Sequence, residues 1–281
     1  VLAASAPLHG RSDLEINLRP FNYLETAQFL EGYSNEEKAI VYGLTSGVAK
    51  YIEQFDTNIS LDGNIIEQFY SIGGYFSEEQ IRTVVSGEGR NPALYNSIVS
   101  AVATGHTKNN EIATYVGADD ITYPLKVLVK ADVLEKRVSK KPYYVLNDSM
   151  LEFYFRFVSR ATSLINANNG VPYYYENVKD NLHDYMGKVF EQMAKEYLLM
   201  NAGKNTFPIV TEVTDYQNTV IDENGHKKQI EIDVIGRSGK DIVLVAECKF
   251  RNEQFDKSEY EKDIDLYLSD RGPSVCRFIL R

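Results

Sequence analysis

The stretch Val243-Leu244-Val245-Ala246-Glu247-Cys248-Lys249 decides the reading of this chain. Its apolar run has no polar interruption, which fits a strand buried on both faces inside a sheet. The run then ends on Glu247 and Lys249, which share one face of an extended strand because side chains alternate with a period of two. Upstream, Gln229-Ile235 reads as a second strand and places Glu231 and Asp233 at the same spacing. A turn signal at Gly236-Arg237-Ser238-Gly239 lets the two strands pair as neighbours, and that brings Asp233 near Glu247.

Carboxylates gathered at the end of a sheet repel one another unless a cation neutralises them, and hard oxygen donors suit Mg2+ or Mn2+. Asp233 and Glu247 are therefore the candidate metal ligands, and Lys249 is placed to orient a water or screen a phosphate. Glu191 lies in Gly187-Lys188-Val189-Phe190-Glu191, on a helix expected over Lys179-Met200, and can reach the same edge of the sheet. Glu191, Asp233, Glu247 and Lys249 form the candidate catalytic set. The competing reading of Glu-x-Lys is a solvated strand face with a surface ion pair. Glu231 reads as an outward or supporting residue, and Cys248, on the other face from Glu247, as core.

Around this centre the expected order is α/β. An aromatic helix, Ser149 to Ala161, and the Lys179-Met200 helix precede strands at Phe207-Val213, Gln229-Ile235 and Asp241-Phe250, the last two strands being preceded by turns at Asp222-Gly225 and Gly236-Gly239. A charged helix, Ser258-Leu268, then leads to a final strand-like run at Val275-Leu280. A helix with Phe190-Glu191, then Asp233, then Glu247-Cys248-Lys249 in a hydrophobic strand resembles the PD-(D/E)xK nuclease superfamily.

The middle of the chain has helical spacing over Ala93-Thr104, Asn109-Tyr115 and Thr122-Lys130, followed by a hairpin from Val133-Val138 and Pro142-Leu146 around Ser139-Lys140-Lys141. Three helices and a basic hairpin suggest a winged helix-turn-helix. Lys126 and Lys130 share a face of the expected recognition helix, while Lys136, Arg137, Lys140 and Lys141 lie in the wing, and all six suit phosphates better than bases. A winged helix used for protein packing remains the alternative. The first segment reads as a strand end at Val1-Ala4 and helices at Tyr23-Leu30, Asn35-Leu44 and Asn64-Tyr70, with Ser34 as N-cap of the second.

The chain has 281 residues, enough for two or three domains, and is 43% hydrophobic and 25% charged. It has no apolar run of membrane-spanning length, and with two cysteines and no secretion signal it is expected in the cytoplasm. A formal charge of −10 argues against indiscriminate nucleic-acid binding, yet Ala93-Leu146 has seven Lys or Arg against five Asp or Glu. The histidines His9, His106, His183 and His226 lack zinc-site spacing, and no Gly-x-x-x-x-Gly-Lys-Ser/Thr loop is present.

Several further motifs occur in order: Pro7-Leu8-His9-Gly10-Arg11, Leu18-Arg19-Pro20-Phe21-Asn22-Tyr23, Glu36-Glu37-Lys38-Ala39-Ile40, Asp148 to Phe157, Tyr185 to Glu191, and Glu247-Cys248-Lys249. Together they resemble the archaeal-type ATPase family, an AAA+/STAND-related group with a C-terminal nuclease-like domain of unknown function. The resemblance implies a multidomain chain: residues 1–88 the end of an ATPase core and its helical lid, 89–147 the winged helix, and 148–281 an α/β restriction-endonuclease-like domain with a linker helix over 148–170. It also implies an upstream P-loop domain, so that ATP is bound and hydrolysed only in a longer protein, with homo-oligomers formed through the ATPase part. Arg11 can reach a γ-phosphate or serve as a surface or packing residue. The expected function is Mg2+-dependent cleavage of DNA coupled to an ATPase; the alternative is a nucleotide-switched DNA- or protein-binding regulator with an inactive nuclease fold.

Overall fold

Local capping signals start the first two helices where the sequence puts them, while the third expected helix, from Asn64, starts at Leu61 behind its cap Ser60. The computed structural model describes residues 18–77, 91–138, 142–205, 207–221, 227–250, 264 and 276–280. Helix α1 (Tyr23–Gln28) opens with a capping box between Asn22 and Glu25, and α2 (Asn35–Thr45) with one between Ser34 and Glu37. In the second, the Ser34 hydroxyl accepts from Glu37 N at 3.2 Å and the Glu37 carboxylate accepts from Ser34 N at 2.8 Å, satisfying two helix-end donors at once. Short helices α3 (Ala49–Ile52) and α4 (Leu61–Ile65) follow, and α4 runs on into a π-helical turn, Ile66–Tyr70.

Helices α5 (Pro92–Ala103), α6 (Asn109–Val116) and α7 (Thr122–Lys130) precede a two-stranded antiparallel sheet of β1 (Leu134–Val138) and β2 (Pro142–Leu146). The aromatic stretch is broken into three pieces: α8 (Ser149–Phe153), a π-helical turn over Tyr154–Val158 and a 3-10 turn over Ser159–Ala161. Then come α9 (Thr162–Asn166), α10 (Gly170–Asn177), a 3-10 turn at Lys179–Asn181, and the long α11 (Leu182–Met200). Helix α9 falls within the linker helix expected over 148–170, whereas α10 is not foreseen from the sequence. Pro172 falls in the first turn of α10, where a missing N–H costs nothing.

A four-stranded sheet completes the described chain, in the order β3 (Glu212–Ile221), β4 (Lys227–Ser238), β5 (Asp241–Cys248), β6 (Cys276–Leu280). The first three strands are antiparallel, and β5 pairs with β6 in parallel. The protein is thus mixed α/β. Two expectations shift here. The strand expected at Phe207-Val213 begins only at Glu212, because Pro208 has no N–H to donate to a ladder. The turn expected at Gly236-Gly239 is shorter: β4 continues through Ser238, and Gly239, at φ +62°, makes the turn. Gly236 instead lies within the sheet, where an added Cβ would stand 3.1 Å from Leu244 and 3.2 Å from Val210. The expected turn at 222–225 and nearly all of the expected helix at 258–268 lie outside the described residues, although Ile264 is helical.

One apolar cluster runs from Leu30 to Met193, joining the N-terminal helices, α5 to α7 with the hairpin, and the first half of α11. Tyr185 ties it together: the side chain is 2% exposed, and its hydroxyl lies 2.7 Å from both the Gly43 and Ser149 carbonyls, linking α11 to α2 and α8. A second cluster packs Ala194 and Leu198 of α11 on Val234, Leu244, Ala246 and Cys248 of the sheet. Helix α11 is therefore half in each.

Close approach makes Gly170 indispensable. A Cβ at Gly170 would stand 2.0 Å from the Tyr70 carbonyl oxygen, whereas one at Gly187, in α11, meets nothing within 4 Å. Gly170→Ala is expected to cost about 1–3 kcal/mol through forced backbone movement, and Gly187→Ala to stabilise the helix by up to about 1 kcal/mol. Urea unfolding midpoints check both, and equal behaviour of the two variants would contradict the packing described.

Candidate functional site

The chemistry-bearing residues meet where β4 and β5 part. Their pairing runs from Ser238↔Asp241 to Val234↔Ala246 and goes no further, although β4 extends back to Lys227 and β5 on to Cys248. Asp233 and Glu247 are the next residues on the two strands. A strand backbone that loses its neighbour still needs hydrogen-bond partners. Here the Asp233 carboxylate supplies one: its Oδ2 accepts from Cys248 N at 2.8 Å. Asp233 is 9% exposed, so the bond offsets part of the cost of burying a carboxylate.

Period-two alternation sorts the side chains of β5. Leu244, Ala246 and Cys248 pack toward Ala194 and Leu198 of α11, which puts Val245 and Glu247 on the other face. Lys249 follows the strand end, with its ammonium 2.5 Å from Glu247 Oε1. On α11, Glu191 lies half-buried beside the sheet.

The electrostatics show how tightly these groups are gathered. Burial first, and then the charge of Asp233, raises the Glu191 pKa to about 7, with Glu231 and Asp215 adding to the rise and Lys195 opposing it. Glu247 is raised by burial, lowered by its hydrogen bond from Lys249, and raised again by Asp233 and Glu231. Burial pushes the Cys248 thiol up, reinforced by Asp233, Glu191 and Glu247, so this cysteine is not a thiolate nucleophile. Asp233 thus acts on both Glu191 and Glu247, and all three carboxylates act on Cys248.

Glu191, Asp233, Glu247 and Lys249 come together; Glu231 is exposed but near enough to act on Glu191 and Glu247. Lys126 and Lys130 are exposed on α7, and Lys136 is exposed on β1. Arg137 is engaged, 2.9 Å from Glu135 and 3.9 Å from Asp215. Lys140, Lys141 and Arg11 lie outside the described residues. Sequence reading missed Asp215 and Lys195, which pair at 3.2 Å. Lys195 sits one helical turn beyond Glu191, a spacing visible in the sequence; nothing in the pattern marks Asp215.

A divalent cation would find hard oxygen donors here. Among the described residues, Asp233 Oδ2 and Glu247 Oε1 are engaged as described, which leaves one oxygen of each for a cation. Among those same residues no group of three or more His, Cys, Asp or Glu side chains is arranged to hold a metal ion. Two carboxylates completed by waters and a phosphate suit Mg2+, which keeps much of its hydration.

Residues 154–263 match the DUF234 family, described as "Archaea bacterial proteins of unknown function". That span includes Glu191, Asp233, Glu247 and Lys249. The chain is also 27% identical over 217 residues to "Uncharacterized protein MJECL04" of Methanocaldococcus jannaschii, an alignment covering 74% of this chain and 48% of that protein. The chain thus spans about half the length of this curated relative. No solved structure matches it. Among the described residues, no helix is long and apolar enough to cross a membrane.

The raised Glu191 pKa has a sign for stability. The folded state holds a proton that the unfolded chain, at the ordinary value of 4.5, has released, so the stabilisation is complete below about 4.5 and is lost as pH rises to about 7. Without divalent cations, Glu191→Gln is expected to flatten the decline in melting temperature between pH 5 and 7 and to exceed the parent in stability at pH 8. Parallel melting curves for the two proteins across that range would contradict the placement of Glu191.

Proposed function

We propose that residues 148–281 form a PD-(D/E)xK-type nuclease-like domain that cleaves DNA phosphodiester bonds with Mg2+ or Mn2+. We further propose that α5 to α7 with the β1–β2 hairpin act as a winged helix that brings DNA to it, and that the N-terminal helices are the lid of an ATPase whose nucleotide-binding part is outside this chain. The convergence of Glu191, Asp233, Glu247 and Lys249 at the parting of β4 and β5 supports the reading most directly. A helix beside a mixed sheet, with acids at the end of a buried central strand, is the arrangement such chemistry requires.

In this reading Asp233 and Glu247 hold the cation, which when bound supplies charge neutralisation and a more acidic water. The protein's own groups do the rest. The Asp233 bond to Cys248 N fixes one carboxylate, and the Lys249 ammonium fixes the other while leaving positive charge beside the path of a phosphate. Glu191, with its pKa at about 7, can take up or release a proton at neutral pH. Exposed Lys126, Lys130 and Lys136 offer phosphate contacts on the α7 and hairpin side.

A second reading, a DNA- or protein-binding regulator with an inactive nuclease fold, is favoured by one observation. Among the described residues no three ligands stand ready for a metal.

Asp233→Asn and Glu247→Gln test the first reading, because the Asn carbonyl can still accept from Cys248 N and so keeps the strand end intact. Each is expected to lower Mn2+-dependent plasmid cleavage by at least about 100-fold, the scale of removing a group that stabilises transition-state charge, and to weaken Mn2+ uptake in calorimetric titration. Cleavage that persists in both variants overturns the assignment. Salt-sensitive DNA binding with neither Mn2+ uptake nor cleavage establishes the second reading.

A further inference from the structure

Arg137 and Lys195 reach the same oxygen. Strand β3 departs from regular pairing between Thr214↔Ile235 and Tyr216↔Ile232, so that one residue, Asp215, stands opposite two, Asp233 and Val234. The extra residue belongs to β4, so the bulge bends that strand where it faces Asp215. Asp215 Oδ1 lies 3.2 Å from the Lys195 ammonium of α11 and 3.9 Å from the Arg137 guanidinium of the hairpin. Lys195 in turn sits one turn along the helix from Glu191 and acts on it electrostatically. A single carboxylate beside the candidate site therefore joins that site to the hairpin.

The two halves of this bridge differ in strength. The Lys195 side chain is 13% exposed, so that half is shielded and short. Arg137 and Asp215 are 36% and 39% exposed and barely within ion-pair range, and such pairs contribute little. A phosphate offers a guanidinium a bidentate, doubly charge-assisted partner. Arg137 can therefore leave Asp215 without stranding that acid, because Lys195 continues to neutralise it next to Asp233, while Glu135, 2.9 Å away on the same strand, stays beside the guanidinium.

We propose that Asp215 is the point at which the hairpin is fastened to the carboxylate site, and that a nucleic-acid phosphate competes with Asp215 for Arg137. The proposal rests on the reading of the hairpin as a nucleic-acid surface. It makes Arg137 a contact exchanged on binding, unlike Lys126, Lys130 and Lys136, which have no such tie among the described ion pairs.

A double-mutant cycle tests it, using the intact chain and a fluorescein-labelled duplex oligonucleotide followed by anisotropy at fixed salt. Asp215→Asn is expected to tighten binding about two- to fivefold when Arg137 is present, the range an exposed ion pair supports, and to have no effect in the Arg137→Gln background. In the absence of DNA, Asp215→Asn and Arg137→Gln are each expected to speed amide exchange in the hairpin. Equal tightening in both backgrounds means that Asp215 acts only through its general negative field, and that overturns the proposal while leaving DNA binding intact. If the parent chain shows no binding even at low salt, the nucleic-acid reading fails and the proposal fails with it.

Discussion

A buried carboxylate that accepts a backbone hydrogen bond at the end of a strand pair is the constraint on which the rest of the site depends. Asp233 is a buried carboxylate, and a buried acid needs compensation. Cys248 N provides it on one oxygen. That same bond ends the β4–β5 ladder in a defined way and fixes the chain direction of Glu247 and Lys249. Asp233 and Glu247 therefore cannot relax apart without exposing an unpaired amide, and their mutual repulsion is retained in the fold. Such retained strain in charge is typical of sites that bind a counter-charge.

Helix α11 transmits this arrangement to the remainder of the molecule. Tyr185, near its start, is locked between α2 and α8; Glu191 and Lys195, in its middle, face the sheet chemistry; and Glu196 accepts from the Tyr42 hydroxyl of α2 at 3.2 Å. One rigid element thus registers the N-terminal helices against the carboxylates. A displacement of α2 would be felt at Glu191 through packing, with no flexible connection between them.

The legible parts of the fold are those in which one residue pattern dominates. The apolar run before Glu247 gave β5 its place in the interior, and the apolar spacing of Leu125, Leu128 and Val129 marked α7, which spans the expected Thr122–Lys130. Strand β3 was misplaced because its sequence, Glu-Val-Thr-Asp-Tyr-Gln-Asn-Thr-Val-Ile, is mostly polar and its identity comes from pairing with β4. The four candidate residues were found because two share a strand and one faces them from the adjacent strand. Asp215 was not, since a bulge is a property of two paired strands and leaves no trace in either one alone.

Anomalous diffraction from crystals grown with Mn2+ is the most direct test of the central claim, that Asp233 and Glu247 are held together to bind a cation. The account predicts a single strong anomalous peak between these two carboxylates, absent in Asp233→Asn. A fully ordered site with no peak, or a peak that ignores both carboxylates, would contradict it.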